Sequence, residues 1–306
     1  MDQVAFVNAA RAGRFSTYDT VVGMTLVAFD YILNINKERK FIWGKGWGLG
    51  KILYFIVRYM PFLDFPIWPF ADSFVAGGNL PMDCNVATYF VVITLSIATC
   101  VSDVVYGLRT WALWERGRWI GLFLIVAGVA FHGTAIALLA TSPTRTPVQR
   151  IPRLDGCFTP PGDYAQTSAA MWKAFLLTTS YQLVLFIATV IKGVQHFTQS
   201  KIQVLEGVLY RDAFFAFLIQ IGVEFVNVAL VISTQSVNYS LNGTYRALVS
   251  VLSARMILDL REAATTLDPW ETTIPAAAHR REVFALHNRE TIREPSNAFT
   301  SSDGWG

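Results

Sequence analysis

Apolar residues along this chain gather into long runs, and polar residues fall mostly between the runs. No strand-like alternation organises them, so the pattern points to helices buried on all sides. A helix that crosses the hydrocarbon of a bilayer needs about 20 mostly apolar residues. Seven stretches meet that rule, at 18–35, 49–69, 86–110, 119–140, 169–194, 208–233 and 245–261. The second contains Arg58 and three prolines, Pro61, Pro66 and Pro69, and is expected to kink or break in its outer half. The seventh is short and contains Arg255. The expected fold is all-α, an integral membrane bundle of about seven transmembrane helices over residues 18–261. An outer N-terminal segment, 1–17, precedes it, and a cytoplasmic, mostly disordered tail, 262–306, follows.

Composition sharpens this picture. The 306 residues are 53% hydrophobic and 15% charged, against about 25% charged in a soluble domain. The mean hydropathy is +0.39. Of 47 formal charges, 11 fall in the last 45 residues, which lack the apolar surface to fold alone. Within the tail, His279 to Ile292 can be drawn as one amphipathic helix, although disorder is the preferred reading. Residues 1–17 have no apolar core, so no cleavable signal peptide is expected and the first helix would act as an uncleaved anchor. The net charge of +3, without a basic block, gives no footprint for nucleic acid.

Basic residues set the orientation. The stretch Phe29 to Asp64 is two apolar runs joined by a loop with Lys37, Arg39, Lys40 and Lys45, and such a loop is retained on the cytoplasmic side. With seven spans, the inner loops add Arg116, Arg118, Lys192 and Lys201, while the outer loops hold Arg145, Arg150 and Arg153. The bias favours an outer N-terminus and an inner tail, although Arg11 and Arg14 slightly oppose it.

The same stretch carries a resemblance. Asp30-Tyr31 before a Leu/Ile/Asn run, Glu38, Ile42-Trp43, Trp47, Gly50-Lys51, Arg58-Tyr59, Pro61 and Asp64 together resemble the N-terminal signature of a fungal family. That family consists of multi-pass membrane proteins, common in basidiomycetes, classed only as a domain of unknown function. Leu108-Arg109-Thr110-Trp111-Ala112-Leu113-Trp114 and Met256-Ile257-Leu258-Asp259-Leu260-Arg261 are similar to it as well. Phe29 and Arg39 stand where the family more often has an aromatic hydroxyl and an apolar residue. The resemblance implies an integral membrane protein and supplies no activity.

Candidate chemistry comes from ionisable residues inside spans, which are costly and face the bundle interior. Asp30, Arg58, Asp103, Arg255 and Asp259 fall in the inner half and form an expected charged network. Arg58 lies about 12 Å and Asp103 about 10 Å from the cytoplasmic ends of their helices, so Arg58 is expected to pair with Asp103, with Asp30 competing. The network reads either as a lock on helix register or as a switch that breaks on activation. His132 and Glu224 in the outer half read either as a ligand cavity or as satisfied polar residues in a packed core. Cys84 and Cys157 both face the outer side and are candidates for a disulfide, while Cys100 reads as a packing residue. Asn238 and Asn242 begin glycosylation sequons in the last outer loop.

No HExxH, GxSxG or Walker loop occurs, so no enzyme, catalytic residue, metal or cofactor is expected. The last span has no lysine for a retinal Schiff base. The sequence thus favours a receptor-like seven-helix sensor of an external ligand, placed in the plasma membrane. Its expected partners are the lipid bilayer, a small-molecule ligand and a cytoplasmic signalling protein at the inner loops and tail. Neither the acidic-Arg-aromatic triplet nor the NPxxY of familiar receptors is present. A small-solute or proton-coupled transporter is the alternative, disfavoured by the lack of an internal repeat, and a non-catalytic scaffold is the third reading.

Overall fold

The computed structural model describes residues 3–44, 46–65, 84–141, 149–150, 157–158, 164–199, 204–234 and 239–267. Among them are seven α-helices: α1 (Gln3–Glu38), α2 (Leu49–Asp64), α3 (Cys84–Leu113), α4 (Arg118–Thr141), α5 (Tyr164–Gln199), α6 (Val204–Thr234) and α7 (Asn242–Leu267). The departure from helix is a two-residue antiparallel ladder between α4 and α5, β1 (Gln149–Arg150) with β2 (Cys157–Phe158). Residues 261–306 form a unit of their own; the first six residues of the expected tail, 262–267, continue α7, and the rest, with its drawn helix, lies outside the described residues.

Four helices have the length and apolarity of membrane spans, over Tyr89–Leu113, Arg118–Thr141, Ser168–Gln195 and Phe214–Thr234. They mark the chain as membrane-embedded, and they coincide with the third to sixth runs of the sequence. The helices α1 and α7 are helical where expected but do not reach that apolarity, and α2, at 16 residues, is too short to count as a span. For α1 and α7 the reason lies in the charges they carry, which meet one another as described below.

Two boundaries differ from expectation. Residues 3–17 are not a separate segment but the first turns of α1. They are rich in alanine and contain no proline, and Thr17 and Thr20 hydroxyls donate to the carbonyls four residues back at 3.1 and 2.9 Å. At the other end α1 passes through a π-turn, Arg39–Trp43, into Gly44. The second expected span runs to 69, whereas α2 ends at Asp64. Pro61 does not break it: the Phe65 amide still reaches the Pro61 carbonyl at 2.9 Å. Pro66 and Pro69 lie outside the described residues.

Helix directions can be read from paired contacts. Asp19 meets Gly243 and Thr244, and Asp30 meets Arg255. From Asp19 to Asp30 and from Thr244 to Arg255 the chain advances by the same eleven residues, about 16 Å of helix. The first and last helices are therefore parallel and in register. In the same way Asp103 faces Gln182 and Thr110 faces Thr189, making α3 and α5 parallel. Thr179 faces Glu224 while Phe186 faces Phe217, making α5 and α6 antiparallel. Glu38 and Tyr31 meet Tyr59 and Phe62, making α1 and α2 antiparallel. Asp103 and Trp111 meet His132 and Gly121, making α3 and α4 antiparallel. Val91 and Ser102 meet Arg246 and Ser253, making α3 and α7 parallel.

The apolar core lies among α2, α3, α5, α6 and α7, around Tyr54, Tyr106, Leu185, Phe217 and Leu258, each at most 2% exposed. Tyr106 and Phe217 rings stand 4.5 Å apart. Outward side chains such as Ile32, Phe29, Ile125 and Val129 are exposed, as lipid-facing positions are. The most peripheral of the four spans is α4, with 11% of its most apolar window buried against 39–44% for the other three. Contact between α1 and α7 is backbone to backbone. A Cβ on Gly23 would stand 2.7 Å from the Gly243 carbonyl carbon, and one on Gly243 would stand 2.8 Å from the Asp19 carbonyl oxygen. Small residues permit such approach in membrane bundles.

Candidate functional site

The α1–α2 reversal determines which charges meet. Because α2 returns antiparallel to α1, Arg58 comes back alongside Asp30 and Tyr31. Arg58 is fully buried, and its Nη1 bonds Asp30 Oδ2 while its Nη2 donates to the Asp30 carbonyl at 3.2 Å. The guanidinium also lies 5.5 Å from the Tyr31 ring centroid, where the ring face attracts a cation. Asp30 Oδ1 accepts from Arg255 Nε of α7 at 2.5 Å and from Asn34 Nδ2 at 2.9 Å. One carboxylate thus holds two guanidiniums from two helices. The Arg58 partner is dry, whereas the Arg255 side chain is 48% exposed.

Glu38 is a further member. Its Oε2 lies 3.8 Å from Arg58 Nε, and its Oε1 accepts from Tyr59 at 2.5 Å and from Trp43 Nε1 at 3.1 Å. One more ion pair and one carboxylate cap join the same three helices. Asp64 bonds Arg246, and Thr94 donates to Asp64 Oδ2 at 3.0 Å. Asp19 caps α7: its carboxylate accepts from the amides of Gly243 (2.6 Å) and Thr244 (3.1 Å) and from the Thr244 hydroxyl at 2.5 Å. A carboxylate is stabilised at a helix N-terminus by the free amides and the helix dipole. Asp30, Glu38, Arg58, Asp64, Arg246 and Arg255, which lower the apolarity of α1, α2 and α7, thus pair with one another.

A second polar cluster lies among α3 to α7. Asp103 Oδ2 bonds His132 Nε2 at 2.9 Å, and Gln182 Nε2 lies 3.4 Å from Asp103 Oδ1 and 3.5 Å from Glu224 Oε1. Thr179 donates to Glu224 Oε2 at 2.5 Å, and the Tyr245 hydroxyl donates to Glu224 Oε1. Glu224 and Gln182 are buried to 1% exposure or less. The His132 side chain keeps 15% exposure and packs edge-on against Tyr181, ring centroids 5.5 Å apart.

The expected inner network is therefore divided. Asp30, Arg58 and Arg255 come together, but Asp103 does not join them, and the expected Arg58–Asp103 pair is replaced by Arg58–Asp30. Depth along the helix put Arg58 and Asp103 level, but the face of α3 that carries Asp103 turns toward α4 and α5. Asp259 is half-buried one turn beyond Arg255 and is itself engaged. His132 and Glu224 are linked through Asp103 and Gln182. Cys100 is free, whereas the side chains of Cys84 and Cys157, and all of Asn238, lie outside the described residues. Asn242 is the first residue of α7. Sequence reading missed Glu38, Asp64, Asp19 and Arg246 as site residues. Glu38 and Asp64 stood in the resemblance, and Arg246 lay inside a candidate span, so a signal existed for each.

Among the described residues no group of three or more His, Cys, Asp or Glu side chains could hold a metal ion. No curated protein and no solved structure matches the chain. Residues 18–63, which contain Asp19, Asp30, Glu38 and Arg58, match the model of a family described as a family of unknown function (DUF6533).

Proposed function

We propose that the chain is a seven-helix integral membrane protein of the plasma membrane that works, without catalysis, as a receptor-like sensor of an external small molecule. The alternation of helix direction and the parallel register of α1 and α7 support seven spans, of which four have the length and apolarity of membrane spans. The N-terminus then faces outward and the tail inward, with the basic inner loops and the tail open to a cytoplasmic signalling partner. Pairing supports this reading, because the charges on α1, α2 and α7 are neutralised inside the bundle instead of being presented to lipid.

The observation that carries the sensor reading is the double use of Asp30. Its bond to Arg58 is buried and costly to break, whereas Arg255 is half-exposed and can swing to the headgroups at little cost. Asp30 with Arg255 is then a latch between the α1–α2 hairpin and α7, strong on one side and releasable on the other. Epitope tags before Met1 and after Gly306 test the topology, and finding both on one side of the membrane would remove a span. The latch is tested by thiol labelling from the cytosol of a cysteine placed at Leu260, which is 38% exposed. Arg255→Gln should raise that labelling several-fold. Unchanged labelling in a variant that reaches the membrane at normal levels would overturn the latch and, with it, the sensor.

A second reading, a proton-coupled carrier, is favoured by one observation: the continuous buried chain from His132 through Asp103 and Gln182 to Glu224. Carboxylates in series inside a bundle are the usual parts of proton relays.

A further inference from the structure

We propose that Glu224 is a proton-binding site, its carboxyl group holding an exchangeable proton at the end of the buried chain His132–Asp103–Gln182–Glu224–Tyr245. The inference goes beyond both readings above, since it holds for a sensor and for a carrier alike.

The asymmetry between the two carboxylates carries it. Asp103 has an imidazole on one oxygen, at 2.9 Å. Among the described residues Glu224 is bonded only by neutral groups: the Thr179 hydroxyl, the Tyr245 hydroxyl and the Gln182 amide. Among the described residues the titratable groups facing the cluster are Asp103, Tyr106 and Cys100 of α3, His132 of α4, Tyr181 of α5 and Tyr245 of α7. Among these the one group able to become a cation is His132, and Asp103 holds it. Two carboxylates and one imidazolium leave one negative charge in excess, away from water. A buried, unpaired carboxylate is neutralised by taking up a proton instead. Glu224, lacking a cation of its own, is where that proton goes; hydronium delivers it and leaves water.

The surroundings fit such a site. Gln220 and Asn227 stand four residues before and three after Glu224 on α6, on the same inward face, and both are at most 1% exposed. Both amide atoms of Gln220, Nδ2 of Asn227, Oε1 of Gln182 and Oγ of Ser250 have no hydrogen-bond partner among the described residues. In a membrane interior such atoms are too costly to leave unpaired, and water molecules satisfy them where space allows. The polar face of α6 is thus a route by which a proton reaches Glu224. The Gln182 amide, placed between the two carboxylates, answers either state. Its N–H groups donate to carboxylates, and the amide turned over presents Oε1 to a protonated Glu224.

Infrared spectroscopy of the full chain in lipid nanodiscs tests this. At neutral pH a protonated-carboxyl C=O band is expected. It should shift down when glutamate carries a 13C carboxyl and shift again in D2O. It should vanish in Glu224→Gln, and in Glu224→Asp it should persist but ignore the glutamate label. The labelling experiment needs no variant, so a folding defect cannot mask its result. The absence of the band at neutral pH, a band indifferent to the glutamate label, one unmoved by D2O, or one that survives in Glu224→Gln would each overturn the proposal. None of these outcomes depends on whether the Asp30–Arg255 latch opens.

Discussion

Replacing Arg58 and Asp30, singly and together, gives the most direct test of the hairpin ion pair. Removing one partner of a buried pair costs about 3–5 kcal/mol because the other charge is left in low dielectric. The two single changes should differ within that range. Arg58→Met leaves Asp30 still bonded to Arg255 at 2.5 Å, so its loss belongs at the low end, about 3 kcal/mol. Asp30→Leu leaves Arg58 fully buried with Glu38 at 3.8 Å as its remaining ionic neighbour, so its loss belongs near the top, about 5 kcal/mol. The double variant strands neither group, and should be less damaged than the sum of the singles by about 2–3 kcal/mol. Unfolding in mixed micelles, followed through the chain's nine tryptophans, supplies the four free energies. A coupling within about 0.5 kcal/mol of zero would refute the pair. The parallel cycle of Arg58→Met with Asp103→Leu should be additive, and a large coupling there would restore the pairing that helix depth alone suggests.

Gly23→Val should lower stability by about 1–3 kcal/mol, because its side chain would press on the Gly243 backbone. Gly133→Ala, with nothing within 4 Å of the new Cβ, should not fall in melting temperature under the same scan; equal losses would refute the close α1–α7 approach. Asp19→Ala removes the carboxylate that caps α7 and should cost about 1–2 kcal/mol, with faster hydrogen exchange at the Gly243 and Thr244 amides. Unchanged exchange there would show that Asp19 does not hold that end of α7.

Much of this molecule was legible in its apolar runs. The four clean spans needed no tertiary information, because a run of about 20 apolar residues in a bilayer has few conformations open to it other than helix. The intramembrane charges also announced themselves, since Asp30, Arg58, Asp103 and Glu224 are too costly to face lipid and turned inward, while Arg255 stays half-exposed. Boundaries were less legible. Residues 3–17 lack a long apolar run, yet nothing in them stops a helix, so α1 simply continues through them.

Partners were only partly legible: Asp30 stood as the competing carboxylate for Arg58, but Asp103 was preferred. Helical spacing tells which residues share a face and how deep each lies, but not which helix that face will meet. Asp103 and Arg58 matched in depth and still found different neighbours, because the α1–α2 hairpin brings Arg58 back to Asp30 while Asp103 turns toward α4 and α5. The bonds from Asp19 to Thr244 and from Asp30 to Arg255 each close a loop of 225 residues. Nothing local in either sequence points to the other. Those contacts exist because the seven described helices alternate in direction and return the last one parallel to the first, with two glycines letting the backbones touch.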